Sequence, residues 1–164
     1  MGLDNIPKEY PCDRAGIAIM KTEDHGEGPV ERIDCNATRE AGQCPHAIHF
    51  NDQPGNALGM FGTPCWYRGK YGNMLLMTAA TPDDKPPTDF YGDDDTVTPE
   101  LSQVLADWMR ARAEKFMKGL EAEIAGQSAA EAKETRARAY EDFKYAADWL
   151  EWSGKNCGGS IAWW

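Results

Sequence analysis

Residues 98–154 read TPELSQVLADWMRARAEKFMKGLEAEIAGQSAAEAKETRARAYEDFKYAADWLEWSG, and their pattern makes this half of the chain helical. Thr98, Pro99 and Glu100 form a helix start. The threonine oxygen can accept from an orphan amide, the proline loses nothing at the first position, and the carboxylate sits by the positive helix end. Leu101, Val104, Leu105, Trp108, Phe116, Leu120 and Ile124 then recur at helical spacing until Gly126. Ser128 with Glu131 matches a capping box. Ala132, Ala139, Tyr140, Phe143, Ala146, Ala147 and Leu150 carry a second helix to Gly154. So short a connection predicts an antiparallel helical hairpin. Its alanines permit close approach, while Trp108, Phe116, Phe143 and Trp149 bring apolar area worth about 25 cal/mol per Å² buried.

Upstream, Thr81–Val97 holds three prolines and six aspartates, the composition of a surface loop. The acidic positions match no EF-hand frame, so a solvated loop is the plainer reading and a weak cation or basic-partner contact the functional one. Pro7 and Pro11 make Met1–Cys12 an extended lead-in. Arg14–Met20 suits a strand, Glu23–Pro29 a turn and Val30–Asp34 the returning strand, with a helical turn over Asn36–Gly42. Glycines and prolines interrupt Ala47–Trp66, leaving short strands or an ordered loop, and Met74–Ala80 fits either a buried helical turn or a strand. The tail, Lys155–Trp164, reads as a turn and a short apolar segment that adds an edge strand to the N-terminal sheet.

These elements predict an α+β fold: a small N-terminal strand-and-loop region packed on the C-terminal antiparallel helical hairpin. A length of 164 residues suits a single domain over 1–164. Its parts are a cysteine-bearing half (1–80), an acidic loop (81–97), the hairpin (98–153) and a tryptophan-rich tail (154–164).

The five cysteines stand at 12, 35, 44, 65 and 157. No C-x2-C pair occurs, yet Cys12, Cys35, Cys44 and Cys65 could converge on zinc or an iron–sulfur cluster, with His46 and His49 as alternative ligands. Such a metal would staple a glycine-interrupted region. The plainer reading makes them small buried hydrophobes. Cys157, in NCGG, is the thiol that neighbouring glycines would leave accessible, or else a structural turn residue.

The best binding signal is 56–73, NALGMFGTPCWYRGKYGN. Arg68 and Lys70 supply charge for a phosphate or carboxylate, Gly69 and Gly72 let amides approach it, and Trp66 or Tyr67 can stack a base. It matches neither the P-loop nor G-x-G-x-x-G, and an irregular loop with packed aromatics is the competing account. Trp149, Trp152, Trp163 and Trp164 either dock into the core or form a partner patch, a homodimer included.

A net charge of −10 argues against general nucleic-acid binding. No apolar run reaches the ~18 residues of a membrane span, and no signal-peptide pattern opens the chain; the expectation is a cytoplasmic protein. G-x-S-x-G and H-E-x-x-H are absent. The sequence therefore points to a non-enzymatic binding protein that sequesters a small anionic ligand such as a nucleotide. One alternative is an inhibitor module whose acidic loop and tryptophan tail meet a host protein. Another is a small thiol- or metal-dependent enzyme.

The opening MGLDNIPKEYPC, the central FGTPCWYRGKYGN and the ending ADWLEWSG resemble uncharacterised small proteins of actinobacteria and their phages. The resemblance covers most of the chain and carries no catalytic motif. It implies a phage or accessory context, in which small proteins bind and neutralise a host protein or a signalling nucleotide.

Overall fold

The structure, a computed structural model, describes residues 4–24, 26–43, 67–68 and 95–163. It is a mixed helix-and-strand chain with small antiparallel sheets. In order come β1 (Asp4–Pro7), α1 (Pro11–Arg14), β2 (Met20–Asp24), β3 (Pro29–Ile33), α2 (Cys35–Glu40), β4 (Tyr67–Arg68) and β5 (Thr96–Val97). Then follow α3 (Pro99–Ala111), α4 (Ala113–Ile124), α5 (Ala129–Cys157) and β6 (Ser160–Trp163). The readings over Ala47–Trp66, Met74–Ala80 and most of the acidic loop lie outside the described residues.

α3 starts where the cap chemistry puts it, with the Leu101 N–H donating to Thr98 Oγ1 at 3.3 Å. The sequence predicts one helix as far as Gly126, but the structure breaks it at Arg112, whose φ of −114° and ψ of 11° leave the helical region. Leu105 and Met109 are fully buried on α3, and one turn further on Ala113 packs against the core while its neighbour Arg112 is only half-buried. A guanidinium cannot enter an apolar core unpaired. The turn tightens instead, with the Arg112 N–H donating to the Met109 carbonyl at 2.9 Å and the guanidinium lying 4.3 Å over the Trp108 ring. α4 then resumes the buried stripe with Phe116, Leu120 and Ile124.

α5 spans 29 residues, about 43 Å at 1.5 Å per residue, so α3 and α4 pack along one rod. Its start is a full capping box: the Glu131 N–H donates to Ser128 Oγ and the Ser128 N–H to Glu131 Oε2. Phe143, Ala146, Ala147, Trp149 and Leu150 bury against Leu105, Ala106, Met109 and Phe116, and the rings of Phe116 and Phe143 stack at 4.5 Å. Leu120, Ile124 and Ala132 close a smaller cluster. Val104 and Tyr140, which helical spacing counts among the core-facing residues, are nearly half exposed.

Gly154 does not end α5. A Cβ there would meet Ser102 Cβ at 2.9 Å and the Pro99 carbonyl oxygen at 3.0 Å, so this glycine marks the close crossing of α5 over the first turn of α3. The helix ends three residues later at Cys157, capped by the left-handed Gly158, φ 64°, and Gly159 follows at φ 95°.

This reversal feeds β6 into a four-stranded sheet of order β4-β1-β6-β5. The tail was expected at the sheet edge; it lies inside, flanked by β1 and β5. The lead-in that prolines mark as extended is β1, paired with β6 from Asp4↔Trp163 to Pro7↔Ser160. Pro7 closes that strand and Pro11 opens α1 at the position that tolerates proline. β2 and β3 form a separate two-stranded ribbon. The Asp34 N–H ties it to the Ile19 carbonyl at 2.7 Å, and the Ile19 N–H donates to the buried Thr38 hydroxyl of α2 at 2.9 Å.

Charges fasten α3 to α5 from outside. Arg110 reaches Asp148 at 2.8 Å and Glu151 at 2.5 Å, while Lys144 and Lys155 flank the same carboxylates. Partial burial pushes the Asp148 carboxyl up, but hydrogen bonds from Lys144 and Arg110 outweigh it and leave its pKa lowered. Lys155 and Arg110 lower that of Glu151 in the same way.

Depressed carboxylates stabilise the fold above their unfolded pKa of about 4 and lose that contribution as pH falls through the folded values. Urea titrations should therefore show stability dropping below about pH 4 at low salt, and Arg110→Ala should cost about 1 kcal/mol at pH 7 and progressively less in acid. A Cβ at Gly159 would lie 2.1 Å from the Val97 carbonyl oxygen. Gly159→Ala should then cost about 3 kcal/mol or more in the same titrations, and Gly154→Ala about 1–3 kcal/mol.

Candidate functional site

Of the stretch 56–73, expected from its residues to bind a ligand, only Tyr67 and Arg68 lie among the described residues. Tyr67 and Arg68 form β4, the outer strand of the four-stranded sheet, antiparallel to β1 in the register Asn5↔Tyr67 and Asp4↔Arg68. Main-chain pairing thus fixes the middle of the loop to a strand that is itself held by β6. Trp66, Gly69, Lys70 and Gly72 lie outside the described residues.

Of the proposed metal ligands, Cys12 is buried in α1 and Cys35 is the half-buried first residue of α2. Cys44, Cys65, His46 and His49 lie outside the described residues. Among the described residues, no group of three or more histidine, cysteine or carboxylate side chains is placed to hold a metal ion. Likewise, among the described residues, no helix is long and apolar enough to cross a membrane.

Cys12 sits in a seam between the N-terminal segment and the end of α5. The Lys8 N–H donates to the Gly159 carbonyl at 3.1 Å, the Glu9 N–H to the Cys157 carbonyl at 2.9 Å, and Arg14 Nη2 to the Asn156 carbonyl at 3.1 Å. Cys157 itself is fully buried. Burial pushes its thiol up to about 12, Glu9 and Cys12 add to the shift, and Arg14 opposes it.

Of the two readings of Cys157, an accessible thiol or a structural residue, its burial excludes the first. The glycines beside it cap α5 and pass under Val97, so their lack of side chains serves close approach and leaves no opening. Burial and the raised pKa together keep Cys157 a protonated, shielded thiol while the fold is closed.

The tryptophans divide. Trp149 is fully buried and Trp152 packs against the core. Trp163 pairs through its main chain with Asp4, and Trp164 lies outside the described residues.

Hydropathy does not signal the buried polar residues. Asn5, Ser102, Ser153 and Ser160 are all fully buried. The Ser153 hydroxyl donates to the Leu150 carbonyl at 2.9 Å, whereas the hydroxyls of Ser102 and Ser160 have no hydrogen-bond partner among the described residues. Ser160 lies in the tail read as apolar, and nothing in that pattern distinguishes it.

Iodoacetamide applied to the folded protein should leave Cys157 unmodified over hours and label it fully in denaturant, as read by mass spectrometry. No protein-family model matches this chain, and no curated protein or solved structure does either.

Proposed function

We propose that the chain is a non-enzymatic binding protein that takes a small anionic ligand, such as a nucleotide, on the loop 56–73. The observation that supports this is the pairing of Tyr67–Arg68 with β1. A binding loop needs a rigid scaffold behind it, and main-chain hydrogen bonds to an inner strand supply one without using any side chain of the loop. Arg68 and Lys70 then provide charge, the amides near Gly69 and Gly72 contact ligand oxygens, and Trp66 or Tyr67 stacks a base. In a chain of net charge −10, such a cationic spot favours a compact anion over a long polyanion.

Two competing readings lose support. Burial of Trp149 and Cys157 takes one aromatic from a partner-binding tail and the favoured thiol from an enzyme. A zinc ion or an iron–sulfur cluster on Cys12, Cys35, Cys44 and Cys65, or on a set including His46 and His49 that leaves Cys12 a thiol, is the proposed staple of the N-terminal region, and only the second set is compatible with other chemistry at Cys12.

Calorimetric titration against a nucleotide panel tests the site. Arg68→Ala should weaken binding about 10- to 100-fold, the value of a charge-assisted hydrogen bond, and unchanged affinity discards the loop. Elemental analysis of the purified protein should find one zinc per chain or the iron of one cluster; finding neither discards the staple.

A further inference from the structure

We propose that Cys12 and Cys157 join in a disulfide when the protein meets a low-molecular-weight disulfide such as oxidised glutathione, clasping the N-terminal segment to the end of α5. Glu9 and Arg14 lie on either side of Cys12, and their nitrogens reach the carbonyls of Cys157 and Asn156 at 2.9 Å and 3.1 Å. The single helical turn α1 is therefore bracketed against the last turn of α5, with one cysteine on each. Both side chains are buried there, Cys12 at 3% exposure and Cys157 at 0%. Both are thiols in this structure.

The exchange balances in two steps. One protein thiolate attacks a sulfur of the small disulfide, forms a mixed disulfide and expels one small thiolate. The second protein thiolate attacks the protein sulfur of that mixed disulfide and expels the other. The two cysteines give up two protons and two electrons, and the small disulfide is reduced to two thiols. Because both cysteines are buried, the reaction waits for β1 and α1 to lift from β6 and α5. The clasp therefore forms slowly and is slowly reduced.

The cross-link closes a loop of nearly the whole chain, so oxidation should raise Tm by about 10 °C. Full-length protein is incubated with excess oxidised glutathione and digested with trypsin without reduction. The expected product is residues 9–14 joined to 156–164, together with the rise in Tm, which dithiothreitol reverses and Cys157→Ala abolishes. Glutathione adducts without that link, or a link from Cys12 to Cys35, Cys44 or Cys65, would overturn the clasp. So would zinc at one per chain that Cys12→Ser removes, because the metal would then occupy the same sulfur.

Discussion

At Gly158 and Gly159 two successive left-handed residues turn a 29-residue helix back along its own end, and within two positions the chain is a strand. Any side chain at Gly159 would collide with the Val97 carbonyl, so β5 can pass this close only over bare backbone. The placement of β6 follows, and so does that of β1, which lies in register with β6 along all four of its residues. β4 in turn pairs with β1. Four strands from opposite ends and the middle of the chain are thus ordered by one reversal, and left-handed angles of this kind are costly for residues other than glycine.

Helix starts were legible because caps are local. Thr98, Pro99, Ser128 and Glu131 act within three or four positions, and the hydrogen bonds formed are those their side chains announce. The break at Arg112 and the continuation through Gly154 were not, since both depend on what lies across the interface. Arg112 breaks the helical backbone although the apolar spacing runs on past it. Gly154 looks like a terminator until α3 is seen crossing over it. The tail was correctly a strand but wrongly an edge, since neither the extended lead-in nor Thr96–Val97 reads as a partner on composition alone.

Much the same holds for the candidate site. The residue types in 56–73 suggest affinity for an anion, yet nothing in them says that Tyr67–Arg68 pairs with residues some sixty positions earlier. Long-range pairing is set by the sheet, whose register no local pattern encodes. Cys157 shows how two local readings compete: its flanking glycines suit either access or close packing, and the sequence alone does not separate them. Glycine beside a cysteine can just as well allow a neighbouring strand to approach and seal the sulfur in.

These facts connect through β1, a strand of four residues with both edges occupied, one by β6 and the other by β4. So short a strand has little stability of its own, and its position is set by what holds its ends. At the C-terminal side the holding contacts are those of Lys8, Glu9 and Arg14 with the last turn of α5 and the residue after its cap. Loosening them lets β1 lift and deprives the loop strand of its template; tightening them, by a covalent bond at the same seam, keeps the template in place. A ligand that needs Tyr67–Arg68 in register must then bind better to the clasped form. By reciprocity, such a ligand would shift the equilibrium toward the clasped form by the same factor.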